Sequence, residues 1–147
     1  MQPIKKILVP IDFTETSTRA LDYAVDLAQV LGASVSVVHV YQAPVYSFPD
    51  AVLVTPPEMA AEISDKCQRM LDEAVNSRRQ RCSAIDGVLL SGPPWEEIGR
   101  WAAEQGANLI VMGTHGRRGL PRAILGSVAE RVIRTSSVPV LTVRGPA

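Results

Sequence analysis

The chain has 147 residues, 46% of them hydrophobic and 20% charged, which reads as one globular domain over residues 1–147 rather than a disordered or fibrous segment. Fifteen Lys and Arg balance fifteen Asp and Glu, so bulk charge marks neither a nucleic-acid footprint nor a polybasic membrane surface. No stretch approaches the ~18 consecutive apolar residues of a membrane span, the opening apolar run reads as a strand rather than a leader, and Cys67 and Cys82 are too few and too far apart for a zinc cluster or a CxxC pair. They read as free thiols in a reducing compartment, and the expected location is cytoplasmic.

Apolar patterning alternates between two periods along the chain. Ile4–Ile11 is short, apolar and β-branched, a buried strand. Thr16–Leu31 carries apolar residues at three- and four-residue steps, an amphipathic helix capped by Gly32. Ser34–Tyr41 is a second strand whose lack of clean alternation fits burial on both faces. Gln42–Pro57, with four prolines (Pro44, Pro49, Pro56 and Pro57), reads as a long loop without regular structure, of the kind that is often functional. Glu58–Arg79 is helical, Ala84–Leu90 a third strand, and Pro94–Gln105 a helix with proline in its first turn that ends at Gly106. Asn108–Met112 is a fourth strand, Gly126 or Ser127 to Arg134 a short helix, and Val138–Val143 a fifth strand. Strict strand–helix alternation argues an α/β fold, a parallel sheet with helices on both faces. In such open sheets ligands bind beyond the carboxyl ends of strands, at the switch point, so the residues after Ile11, Val40 and Met112 matter most.

The segment after the fourth strand is the strongest chemical signal. Thr114–Leu125 is far longer than the usual ~2–6 residues of a strand-to-helix connection, and it holds Arg117, Arg118 and Arg122 but no acid. Gly113, Gly116 and Gly119 allow positive φ and close approach of backbone to a ligand. Gly126-Ser127 then opens a helix, whose free N–H groups and dipole favour an anion, typically phosphate. There is no GxxxxGK[ST], and no GxGxxG follows the first strand, so neither a P-loop nor a dinucleotide fingerprint is present. Ser127-Val-Ala-Glu130 also fits a capping box, a structural use of the serine that coexists with phosphate contact.

Gly113-x-x-Gly116, nine residues, then Gly126-Ser127 resembles the G-2x-G-9x-G-[S/T] motif of the ATP-binding universal stress proteins. Asn108-Leu-Ile-Val-Met-Gly-Thr-His-Gly-Arg-Arg-Gly-Leu, Gly126-Ser-Val-Ala-Glu-Arg-Val, Val138-Pro-Val-Leu-Thr-Val-Arg144, Ile7-Leu-Val-Pro-Ile-Asp12 and His39-Val40 are similar to that family as well, so the likeness runs through nearly the whole chain. The resemblance implies a five-stranded parallel sheet of order 3-2-1-4-5, Rossmann-like and akin to the adenine nucleotide alpha hydrolases. It implies an adenine nucleotide, ATP with Mg²⁺ or Mn²⁺ on its phosphates. Pro10 and Asp12 would approach the adenosine, Asp12 at the ribose; Val40 would hold adenine through its backbone; Met112 and Gly113 would line the nucleoside side. Gly116, Gly126, Ser127 and Val128 would surround the phosphates, with Arg117 as the loop's cation. No residue is assigned as catalytic or as a resident metal ligand.

Single residues carry plainer readings beside these. Asp12 by itself is a turn or helix cap as readily as a ligand group. His39 in an apolar strand reads as a core histidine, and His115 as a loop residue with no paired acid or nucleophile near it in sequence. Trp95, Ile98 and Trp101 form a packing stripe. Val138–Val143 is expected at a sheet edge, where pairing with a second copy would give the homodimer that the resemblance also implies. The expected function is an ATP-binding, homodimeric regulator or sensor in stress response. A slow ATPase or a phosphoryl or adenylyl transferase is the enzymatic alternative, for which no dedicated base for water is evident; an interaction module with a vestigial site is the third.

Overall fold

The structure is a computed structural model and describes residues 1–115 and 124–146. Its elements are β1 (Lys6–Pro10), α1 (Glu15–Leu31), β2 (Ser34–Tyr41), β3 (Val45–Phe48), β4 (Ala51–Val54), α2 (Pro57–Asn76), β5 (Ile85–Ser91), α3 (Pro94–Glu104), β6 (Leu109–Gly113), α4 (Ser127–Thr135) and β7 (Val140–Val143). Five strands form one sheet of order β5-β2-β1-β6-β7, and every pairing in it is parallel. Counting only these strands, this is the expected 3-2-1-4-5.

Alternation along β1 explains the two layers. Ile7, Val9 and Ile11 pack against α1 and α2 in one cluster, together with Val35, Val37, Leu21, Val25 and Leu71. Leu8 turns to the other face, with Val38, Ile110 and Met112, against Ile98 and Ala102 of α3 and Ala129 and Val132 of α4. Successive side chains of a strand point to opposite faces, so a strand covered on both sides is apolar throughout. Gly32 and Gly106 both adopt left-handed φ of 63° just past α1 and α3, which closes each helix where a β-carbon would be penalised. Asn108 Oδ1 accepts from the Lys5 and Lys6 N–H groups at 2.8 and 2.9 Å, tying the start of β6 to β1 at the end of the sheet opposite the cleft described below. Outside the sheet, Arg81 pairs with Asp26 and Asp22; the hydrogen bond to Asp26, then that to Asp22, hold its guanidinium above its ordinary pKa against the opposing effect of burial.

One expectation fails outright. The Gln42–Pro57 segment is not an irregular loop: Val45–Phe48 and Ala51–Val54 form an antiparallel hairpin, with Val45 opposite Val54 and Phe48 opposite Ala51. The prolines that argued against regular structure stand where the ladder does not need them: Pro49 in the turn, Pro44 before β3, and Pro56 and Pro57 at the start of α2. Between them run β-branched and aromatic residues that favour strands. Elsewhere element ends move by one to three residues, and the last strand begins at Val140 rather than Val138.

Candidate functional site

The site is built where the sheet order reverses. β1 lies between β2 and β6, and their carboxyl ends open a cleft of about 710 Å³, within the ~300–1,000 Å³ usual for small-molecule sites. Pro10, Ile11 and Asp12 line it from the end of β1, Val38, His39, Val40 and Gln42 from β2, and Met112, Gly113, Thr114 and His115 from β6. Gly126, Ser127, Val128 and Arg131 close it from α4. Pro10, Asp12, Val40, Met112, Gly113, Gly126, Ser127 and Val128, each expected from sequence, therefore share one cavity. Gly116 and Arg117 lie outside the described residues.

The β1–α1 turn is held by its own side chains. Asp12 Oδ1 accepts from Thr14 N–H at 3.1 Å and from Thr14 Oγ1 at 2.5 Å, an Asx turn. Thr14 caps α1 by accepting from Ser17 N–H, and Asp12 N–H donates to Ser17 Oγ at 3.3 Å. The turn reading of Asp12 is thus realised, and the residue also lines the cleft. Phe13, between them, adopts φ 65°, a left-handed conformation uncommon for a bulky residue and of the kind that gathers at functional turns. Its ring lies 4.4 Å from that of His39.

His39 is a core histidine, as its strand suggested. It is 5% exposed, and its Nδ1 lies 2.8 Å from the Ile11 carbonyl; since a carbonyl only accepts, Nδ1 carries the proton. The imidazole thereby clamps the end of β1 to β2 beneath the cleft floor. His39→Leu is expected to cost about 1–3 kcal/mol, because it removes a partner from a buried carbonyl. Urea denaturation checks this, and a midpoint equal to that of the unsubstituted chain would show that the clamp carries no weight.

The long β6–α4 connection is pinned at both ends. Thr114 N–H donates to the Val143 carbonyl at 3.0 Å, and Gly126 N–H donates to the Thr114 carbonyl at 2.7 Å. This brings the start of α4 beside the end of β6 although twelve residues separate Gly113 from Gly126. His115 lines the cleft and its Nδ1 pairs with Thr114 Oγ1 at 2.8 Å. The capping box does not form: the N-cap of α4 is Gly126, with no side-chain cap, and Ser127 is already the first helical residue. Glu130 instead pairs with Arg134 at 2.6 Å, turning its carboxylate along the helix. Among the described residues no side chain caps the first turn of α4, whose N–H groups have no partner within the helix and lie at the positive end of its dipole.

Sequence reasoning missed the fourth wall. Pro93, Pro94, Trp95 and Ile98 line the cleft from α3, and the Arg131 guanidinium lies 5.4 Å from the centroid of the Trp95 ring, a cation–π contact joining α4 to α3. Trp95, Ile98 and Trp101 do form the packing stripe read from their spacing; that one end of the stripe borders the cleft follows from the crossover that lays α3 beside α4. Among the described residues, Asp12 is the only carboxylate lining the cavity, and no group of three or more His, Cys, Asp and Glu could hold a metal ion. The arrangement suits a small ligand with an apolar end against Val40 and Trp95 and an anionic end against α4.

Residues 3–144 match the model of the Universal stress protein family. The chain belongs to that family. This universal stress protein is 35% identical over 143 residues to universal stress protein MJ0531 of Methanocaldococcus jannaschii, covering 97% of this chain and 83% of the relative. It is 33% identical to universal stress protein YxiE of Bacillus subtilis, covering 95% and 98%. Among solved structures it is similar to protein MJ0577, at TM-score 0.83 and 26% identity with 99% of each chain covered. It is similar to a universal stress protein in complex with cAMP, at TM-score 0.71 and 26% identity over 97% and 98% of the two chains. It also resembles the universal stress protein of Archaeoglobus fulgidus in complex with dAMP, at TM-score 0.69 and 26% identity over 97% and 99%. No helix among the described residues is long and apolar enough to cross a membrane.

Proposed function

We propose that this universal stress protein binds an adenine nucleotide, ATP with Mg²⁺ or Mn²⁺ on its phosphates, and acts as a homodimeric, nucleotide-dependent regulator or sensor. The observation that carries the reading is the uncapped N-terminus of α4 facing a cleft at the switch point of the sheet. Backbone donors at a helix start favour phosphate without needing a lysine, which is how a chain of zero net charge can take a polyanionic ligand. The residues fit the group in other respects. The half-buried Val40 and the Trp95 ring supply an apolar wall for a base, and Asp12 supplies an acceptor for a ribose hydroxyl. A divalent ion held mainly by the phosphates, with Asp12 as the one carboxylate lining the cleft among the described residues, matches the way Mg²⁺ is usually carried. Relatives of similar architecture bind cAMP and dAMP.

The nucleotide is held in this reading rather than turned over. In the expected homodimer, β7 meets its counterpart in a second copy; among the described residues it pairs only with β6, at the edge of the sheet. Protein purified without added nucleotide and then denatured is expected to release an adenine nucleotide, identified by mass. A ligand-free preparation that also fails to bind ATP in calorimetry would overturn the proposal. A single-turnover assay with protein in excess is expected to leave ATP intact, and stoichiometric ADP within minutes would move the reading to the slow ATPase.

A further inference from the structure

Ser127 and Arg131 both line the cleft from α4. They stand four residues apart, about one turn and about 6 Å along the helix axis, on the same face. Long side chains on a helix lean toward its N-terminus, so Arg131 leans over the turn that Ser127 opens. Among the described residues Arg131 is the only Lys or Arg lining the cavity, and it takes part in none of the ion pairs formed among them. Nearby acids are engaged elsewhere: Glu130 of α4 pairs with Arg134, and Glu97 of α3 with Arg100. The Arg131 guanidinium rests instead on Trp95, 5.4 Å from the ring centroid. At an exposed residue such a cation–π contact is weak, weaker than a charge-assisted hydrogen bond to a phosphate oxygen.

We infer that Arg131 is a further binding residue of this site, resting on the Trp95 ring and passing from it to the phosphates of the ligand. The inference depends on the nucleotide reading and adds to it a cation that lies outside the glycine motif. Charge gives the reason such a cation is needed. Asp12 is the one carboxylate of the described lining, and its charge alone would oppose a polyphosphate; Arg131 offsets it from the α4 side of the same cavity. A cation and a stacking wall make different demands on the ligand. A wall that covers the base acts alike on a nucleoside and its phosphates, whereas a cation acts in proportion to ligand charge.

Calorimetric titration of Arg131→Met and Arg131→Lys with adenosine, AMP, ADP and ATP tests this. Methionine removes the charge and keeps an apolar stem against the indole. Arg131→Met is expected to hold adenosine within twofold of the parent chain and to weaken ATP about tenfold or more, with AMP and ADP between them. Arg131→Lys, which keeps the charge, is expected to lose less ATP affinity than Arg131→Met; an equal loss would overturn the inference. Retained adenosine binding also shows that the variants fold. Equal losses for adenosine and ATP would overturn the inference in favour of a base-covering role through Trp95. ATP bound alike by the parent chain and Arg131→Met would overturn it alone and leave the nucleotide reading standing. A parent chain that binds none of the four ligands would overturn both.

Discussion

Ser127→Glu is expected to weaken ATP binding about 100-fold or more while leaving the fold as stable as before or slightly more so. The two effects have one cause. Ser127 is the first residue of α4, and its N-terminal neighbour Gly126 caps the helix without a side chain. A carboxylate in the first turn interacts favourably with the dipole, worth about 0.3–1 kcal/mol, and at the same time occupies and repels at the place proposed for phosphate. Charged hydrogen bonds are worth about 1.5–3 kcal/mol each, and every 1.4 kcal/mol is about tenfold in affinity, so loss of one or two reaches the stated range. Calorimetric titration and a thermal melt of the same variant measure both signs together. Adenosine, which has no phosphate, should bind the variant as it binds the parent chain. Unchanged ATP affinity would sink the phosphate assignment of the α4 terminus.

Gly113→Ala is expected to cost about 1–3 kcal/mol of stability, a fall of roughly 3–10 °C in Tm for a chain of this size. A β-carbon at Gly113 would lie 2.8 Å from Thr16 Cγ2 and 3.3 Å from the Thr16 backbone. The glycine is therefore required by the packing of α1 on β6, whatever it does for a ligand. Thr16→Ser, which removes that methyl group, is expected to recover part of the loss in the double variant, a coupling of about 1 kcal/mol between touching residues. Gly145 offers the internal control: a β-carbon there would meet Thr16 Oγ1 at 2.7 Å, an atom serine keeps, so Thr16→Ser should not rescue Gly145→Ala. If Gly113→Ala melts as the parent chain does but loses nucleotide, the glycine serves the ligand rather than the helix.

The legible and illegible parts of this site divide along a physical line. Val9, Leu21 and Ile110 were recognisable as interior because burial imposes a period that a single segment displays. The same holds for Gly126 and Ser127, whose meaning lies in a strand, a spacing and a helix start all visible in one stretch of chain. Pro49 and Pro44 misled because proline forbids a ladder hydrogen bond only where one is needed, and the pairing that decides this joins residues up to nine apart. The pairing of Ser127 with Glu130 misled for a related reason: Glu130 had a nearer cation in Arg134.

By itself the amino-acid sequence determined the α/β class, the five sheet strands, the helices between them and the motif at the β6–α4 junction, since all of these rest on local period, caps and spacing. Tertiary structure alone decided what surrounds that motif. Trp95 and Arg131 come to the cleft because crossovers lay α3 and α4 on one face of the sheet, and Thr16 meets both Gly113 and Gly145 because α1 packs across β6. It also decided that Asp12 serves the turn and the cavity at once, and that the apolar hairpin points away from the core. Contacts between residues a hundred positions apart depend on how whole elements pack, and no local pattern records them.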